Sequence, residues 1–331
     1  MTRLVEIHTP NELAQVASTG GSPPVAAESL LLEAPDAHWM LLDDATIVAR
    51  CSLWWRRVPS LGKQRLGAIG HFAAQHSEPA VHLLKYSAEQ LMAKGCSTAI
   101  GPMDGNTWRR YRFVTDRGSE PPFFLEPDNP NDWPHFFTGA GFSPVATYTS
   151  ALNTDLSRMD ARIASISTRI ADAGILIRHA NATRMEDELR RVYQMSLMSF
   201  QNNFLYTPLE ELEFMAQYRK ILPHIRAELI LIAERDDQPV AFLFAIPDVL
   251  RARQQGRNDT IIIKTVAVIP DCAGLGLGTC LVTRAQQLAY DLGFRRAIHA
   301  LMHESNRSRD ISQHTAATMR RYTLYALPLL S

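Results

Sequence analysis

Asp259–Gly293 reads DTIIIKTVAVIP, then DCAGLGLG, then TCLVTRAQQLAYDLG, and these three pieces decide the fold. The first is dense in β-branched residues from Thr260 to Ile269 and stops at Pro270, which predicts a strand. The last spaces Leu281, Ala285, Leu288, Ala289 and Leu292 along one helical face and ends at Gly293. Between them lies a turn with Gly274, Gly276 and Gly278. A glycine turn feeding a helix start bares backbone N–H groups and adds the positive end of the helix dipole. Both favour a phosphate or pyrophosphate.

Two phosphate-binding loops do not fit. No lysine follows Gly278, as a P-loop requires, and counting Gly-x-Gly-x-x-Gly from Gly274 or Gly276 reaches Thr279 or Leu281. A third loop fits: Val268-Ile269-Pro270 followed by Gly276-Leu277-Gly278 resembles the coenzyme A loop of the GNAT acyl-CoA N-acyltransferase superfamily, Gln/Arg-x-x-Gly-x-Gly/Ala after a strand ending Val-x-Pro. Ala273 stands where Gln or Arg is usual, which leaves phosphate contact to backbone groups. The resemblance implies that the loop amides of Ala273, Gly274, Leu275, Gly276, Leu277, Gly278 and Thr279 hold the pyrophosphate of acetyl-CoA or another acyl-CoA. It also implies that the N–H groups of Val266 and Val268 face pantetheine and the thioester. Asn306 and Ser308, in the stretch that resembles the entry to the fourth GNAT helix, are expected to contact pantetheine. The arginines at 307, 309, 320 and 321 either reach the 3′-phosphate or form a solvated face.

Lys plus Arg and Asp plus Glu both number 34 in 331 residues, so no basic field invites nucleic acid. The four cysteines, Cys51, Cys96, Cys272 and Cys280, have no Cys-x-x-Cys spacing. They suggest free thiols in a reducing cytoplasm and no metal site. No apolar stretch approaches transmembrane length, and a soluble cytoplasmic protein is expected.

Working outward, two strands about Asp236-Asp237, the 260 strand, the glycine turn, a helix, Gly293 and a strand at 297–302 repeat an earlier order. That order is two strands about Asp43-Asp44, a strand from Arg65, a helix from Glu78, Gly95 and a strand from Cys96. The chain reads as a tandem repeat of one α/β unit. The expected fold class is α/β (α+β): two GNAT-like units, each a mixed, mostly antiparallel sheet flanked by helices. The expected units are 1–155, degenerate for coenzyme A, a connecting helix 156–174 (from Leu156), and 175–331, which binds acyl-CoA. The first copy has AAQHSEP at 73–79 in place of the glycine loop, with Glu78 where a pyrophosphate would sit. A loop is expected at 20–24.

The Pro-rich segment 104–142 brings Trp108 and the arginines of GNTWRRYRF near a substrate or packs as a rigid surface loop. In GNAT units the acceptor side is built from the first two helices and their link. That makes Asn203 and Tyr206 candidates for acceptor binding, beside Lys264 on the central strand and His299 on the next. The family's strand glutamate is replaced by Ile262 and its tyrosine acid by Ser312. His303 is then the candidate base, with Tyr322 (Tyr325 beside it) and Ser312 as candidates for the acid.

The expected function is acyl-CoA-dependent N-acylation of a small-molecule or peptide amine, without metal, nucleic acid or membrane, the oligomeric state being open. Two rivals stand beside it. A non-catalytic acyl-CoA sensor or interaction protein is encouraged by the missing acid and base. A Fem-like aminoacyltransferase also has two GNAT-like halves.

Overall fold

The computed structural model describes residues 2–17, 22, 25–158 and 160–329. Most of the loop expected at 20–24, and Met159 of the connecting helix, lie outside these. The first copy runs β1 Thr2–Glu6, α1 Pro10–Ala17, α2 Ala27–Glu33, β2 Ala37–Asp43, β3 Thr46–Trp54, β4 Leu66–Ala74, α3 Ser77–Ala93, β5 Thr98–Gly101, β6 Phe113–Asp116, α4 Trp133–Gly139 and β7 Ser143–Asn153. After α5 Ile163–Asp172 the order returns. The second copy runs β8 Leu176–His179, α6 Met185–Phe200, α7 Glu211–Arg219, β9 Ile230–Arg235, β10 Gln238–Pro247, α8 Val249–Gln255, β11 Thr260–Val268, α9 Leu277–Asp291, β12 Arg296–His303, α10 Arg307–Ser312 and β13 Ala317–Pro328. The connecting helix expected from 156 starts at Ile163.

All thirteen strands of the described residues join one sheet in the order β1-β2-β3-β4-β5-β13-β7-β12-β11-β10-β9-β8, with β6 on β13. The middle of that order is an exchange. β13, last in the chain, pairs antiparallel with β5 of the first copy. β7, last of the first copy, pairs antiparallel with β12 of the second. The two exchanged strands then pair with each other from Ala317↔Leu152 to Ala326↔Ser143. A cut of the sequence between the copies is therefore not a cut of the sheet.

Packing fixes α9 and α6 on opposite faces. α9 buries Leu277, Cys280, Leu281, Ala285 and Ala289 against β9–β11, with Ile166 and Ile170 of α5 in the same core. Each buried Leu or Ile adds roughly 1.5–3 kcal/mol over an exposed one. The other face holds Leu189, Val192, Tyr193 and Met195 of α6 and Phe214 of α7 over Phe242, Phe244 and Ile262.

The parallel strands β11 and β12 pair only from Thr260↔Arg296 to Ile263↔His299. Beyond that point they diverge. On its other edge β11 stays on β10, but Phe244 faces Thr265 while Ala245 faces Ile263, so Lys264 is the extra residue of a β-bulge. β4 carries the corresponding bulge: Arg50 pairs Ala73 while Ser52 pairs Gly70, and His71 sits at φ 47°. There, however, the gap stays closed. Met103 N–H donates to Ile69 O at 2.9 Å and His71 N–H to Asp104 Oδ1 at 2.6 Å. A Cβ on Gly70 would lie 2.3 Å from Met103 O. The first copy is zipped where the second is open.

Candidate active site

The open wedge leads into a cavity of about 460 Å³, within the range of small-ligand sites. Its walls come from both copies. β11 contributes Ile263–Val266 and β12 His299–His303. Ser305, Asn306, Ser308 and Ile311 close one end, the α6–α7 link supplies Asn202–Phe204 and Tyr206, and Thr107, Trp108, Tyr111 and Tyr148 come from the first copy.

At the donor end, Ile269 N–H donates to Val240 O at 3.0 Å. Alternation along the strand turns the N–H groups of Ala267 and Thr265 the same way and leaves those of Val266 and Val268 on the open side. The turn after Pro270 uses left-handed backbone at Gly274 (φ 89°) and Gly276 (φ 86°), and Gly276 caps α9. The first bond of α9 runs from Cys280 N to Gly276 O, so the N–H groups of residues 277–279 have no acceptor within the helix. The glycines differ in purpose. A Cβ on Gly276 would press on Ile166 at 3.0 Å and Arg169 Nη2 at 3.3 Å of α5. A Cβ on Gly278 would lie 3.0 Å from Ile311 Cδ1 and 3.9 Å from Val266 Cγ1, two cavity residues. Gly278 thus keeps the channel open. Arg169 donates to Leu275 O at 3.2 Å and brings to the loop a guanidinium that position 273 lacks; sequence reading had no signal for it. Asn306 Oδ1 caps α10 by accepting from Ser308 N at 3.3 Å.

The two histidines have defined tautomers. Ser305 N–H donates to His303 Nδ1 at 3.1 Å, so neutral His303 carries its proton on Nε2. Its ring lies against Tyr148 and Phe204, at 4.9 and 5.5 Å between centroids. Burial, then the nearby Arg112, hold its pKa below the ordinary value. For His299 the chain of bonds starts at Asp155 N–H, which fixes Asn153 Oδ1 as acceptor. Asn153 Nδ2 donates to Gln286 Oε1, and Gln286 Nε2 to His299 Nε2 at 2.7 Å, leaving the His299 proton on Nδ1. Burial pushes its pKa down to about 4.

A depressed histidine favours the fold above its unfolded pKa near 6.5, and that contribution is lost as pH falls toward the folded value. Between pH 6.5 and 4 His299 is expected to withdraw about 3 kcal/mol. Urea unfolding should show His299→Gln losing less stability than wild type on acidification across this window. Parallel curves would reject this assignment.

Lys264 opens on the cavity, yet the surrounding walls and Arg112 hold its pKa below the usual lysine range. Arg112 is 6% exposed, and its guanidinium lies 4.0 and 4.1 Å from the ring centroids of Tyr111 and Tyr148. Its Nε and Nη1 are buried without a hydrogen-bond partner among the described residues. Among those residues, no acidic side chain lines the cavity.

Sequence reading brought Asn203, Tyr206, Trp108, Lys264, His299, His303, Val266, Asn306 and Ser308 to this cavity. Trp108 is tied down: its Nε1 donates to Thr207 O at 2.7 Å and its ring meets Phe200, Tyr206 and Phe214. Arg109 forms a bidentate pair with Glu213 of α7 at 2.6 and 2.9 Å. Four expectations need correction. Tyr322 is fully buried, donates to Glu126 and lies 3.0 Å from Ser150 Oγ, away from the cavity. Ser150 Oγ accepts from Leu301 N at 3.1 Å, so Tyr322 supports the left-handed kink of β12 at Leu301 (φ 60°) and is not aimed at a substrate. Ser312 is 1% exposed, with Oγ enclosed; Ile311 faces the cavity in its stead. Tyr325 is buried in the first-copy core. Arg320 is also corrected: it is buried, 3.0 Å from Glu126, and donates to the Glu120 and Pro121 carbonyls. Arg321 and Arg309 are exposed, and the Arg307 side chain lies outside the described residues.

No helix among the described residues is long and apolar enough to cross a membrane. Residues 189–311 match the family model described as acetyltransferase (GNAT) family. No curated protein matches the chain. Among solved structures, a tandem GNAT protein from the clavulanic acid biosynthesis pathway aligns at a TM-score of 0.53 and 12% identity, over 100% of this chain and 99% of its own. A GCN5-related N-acetyltransferase from Sphaerobacter thermophilus aligns at 0.51 and 12%, over 99% and 96%. A GCN5-related glucosamine N-acetyltransferase region in a fungal multi-domain GH3 β-N-acetylglucosaminidase aligns at 0.57 and 14%; it covers 99% of this chain, which spans only 38% of that one. At such identities these likenesses speak for the fold. Residues 189–311 thus match the GNAT acetyltransferase family model, and the chain as a whole has the fold of a tandem GNAT protein.

Proposed function

We propose that the chain transfers an acyl group, acetyl being the first to test, from coenzyme A to the amine of a small molecule or peptide, and that only the second copy binds the donor. The observation that carries this reading is the wedge between β11 and β12. It opens beside the bare N-terminus of α9 and continues into a cavity walled by both copies. The thioester supplies the electrophile. Val266 and Val268 N–H groups are suited to orient it, the amides of 274–279 and Arg169 to hold the phosphates, and Asn306 and Ser308 to line pantetheine.

His303 takes a role opposite to that of a base. Its free nitrogen carries a proton, and neutral imidazole does not release one near pH 7. It therefore offers a hydrogen bond to the charge that develops on oxygen or sulfur. The amine enters a cavity with Lys264 and Arg112 close by and no carboxylate on its walls. Such a field favours the neutral, nucleophilic amine.

The test is thiol release from acetyl-CoA with a panel of amines. If acetyl-CoA binds and no amine releases thiol, the chain is a non-catalytic acyl-CoA binder. The role of His303 is tested separately. His303→Ala should slow turnover about 10²-fold, and His303→Gln, which keeps a side-chain N–H, should recover part of it. A glutamine variant as slow as the alanine variant would return His303 to the role of base.

A further inference from the structure

We infer that the reacting pair bound in this cavity carries a carboxylate, held by Lys264 and favoured by the buried charge of Arg112 behind the wall, so that the acceptor is an amino acid-like amine; this rests on the acyl-transfer reading above. The basic side chains that line the cavity among the described residues all present N–H. Lys264 does so from its bulge, His303 through Nε2, and His299 through Nδ1, since Gln286 occupies its other nitrogen. Behind Tyr111 and Tyr148 sits Arg112, with two guanidinium nitrogens buried and unpartnered among the described residues.

Two other arginines of this region are already matched. Arg109 is paired with Glu213, and Arg320 with Glu126. Among the described residues Lys264 is thus a cation on the cavity wall with no carboxylate beside it on that wall, and burial, then Arg112, raise the cost of its charge. An anion against Lys264 relieves that cost. A simple cationic amine would meet only repulsion. Trp108, Phe200, Phe204 and Tyr206 shape the rest of the space for an apolar side chain.

The carboxylate could also arrive on the acyl group, because Lys264 lies two residues before Val266 on β11. The experiment separates the sources. Calorimetry on the coenzyme A-saturated full chain compares N-acetyl-L-phenylalanine with its methyl amide, and on the free chain compares succinyl-CoA with acetyl-CoA. The carboxylate should be preferred by about ten- to a hundredfold in the first pair, the scale of a hydrogen bond to a charged group. Lys264→Met should erase the preference and leave coenzyme A affinity unchanged. A Lys264-dependent preference confined to succinyl-CoA would keep the carboxylate but assign it to the donor, overturning the amino acid-like acceptor. Equal affinities in both pairs, or a preference that survives Lys264→Met, would overturn the carboxylate site itself. The coenzyme A titration made at the start reports on the donor reading independently.

Discussion

Gly278→Leu is expected to weaken acetyl-CoA binding roughly a hundredfold while the protein stays folded. The added Cβ sits 3.0 Å from Ile311 Cδ1 and 3.9 Å from Val266 Cγ1, and the rest of a leucine must extend between two residues that line the cavity. Forcing side-chain atoms into occupied space costs about 1–3 kcal/mol, which at its upper end is two decades of affinity. The backbone does not object, since Gly278 lies inside α9, where leucine is a better helix former than glycine by about 1 kcal/mol. Gly276 is a poorer probe: at φ 86° and against Ile166, any side chain there disturbs the packing of α5 along with the loop. Calorimetry with acetyl-CoA, read beside thermal unfolding, decides the matter. Unchanged affinity in a folded Gly278→Leu protein would remove the donor from the channel between β11 and α10.

The second large effect concerns the exchange of strands. A fragment of residues 157–331 is expected to be insoluble or unfolded. It lacks β7, which pairs with β12 from Ala297↔Asn153 to His303↔Tyr148 and with most of β13. Both strands would lose a ladder partner in the middle of the sheet and expose edges that favour aggregation. The fragment also loses Trp108 and Tyr148, two walls of the cavity. Adding the complementary fragment 1–156 during refolding should restore a soluble complex with a single unfolding transition. Cooperative unfolding and acetyl-CoA binding by 157–331 alone would show that the second copy closes its sheet without β7.

The strand, turn and helix of 259–293 were legible because their signals are local: β-branched residues, a proline stop, left-handed glycines and one apolar helical face. The repeat was legible for the same reason, since each copy keeps the order of its elements. The exchange was not. β7 and β13 occupy the same place in their copies, and a hydrophobic pattern states that a strand is buried without naming its neighbour. Tyr322 and Ser312 were misplaced because counting along a family pattern fixes the sequence position and not the direction of a side chain. The arginines of GNTWRRYRF show the limit most clearly. The sequence groups them on one segment, but Arg109 is paired with Glu213, Arg110 is exposed and Arg112 is buried between two tyrosines at φ 68°. Only the fold sorts them.

The pairing of Tyr325 with Gly101 also sets a schedule for synthesis on the ribosome. A chain emerges N-terminus first at roughly 5–20 residues per second. β5 therefore leaves the exit tunnel more than two hundred residues ahead of the strand that completes its sheet. For some tens of seconds at that rate the nascent first copy exposes an unpaired edge, of the kind that favours aggregation, until β13 arrives. Premature termination near the C-terminus would then leave both halves of the sheet incomplete, and truncated products should be cleared rather than accumulate as a working first copy.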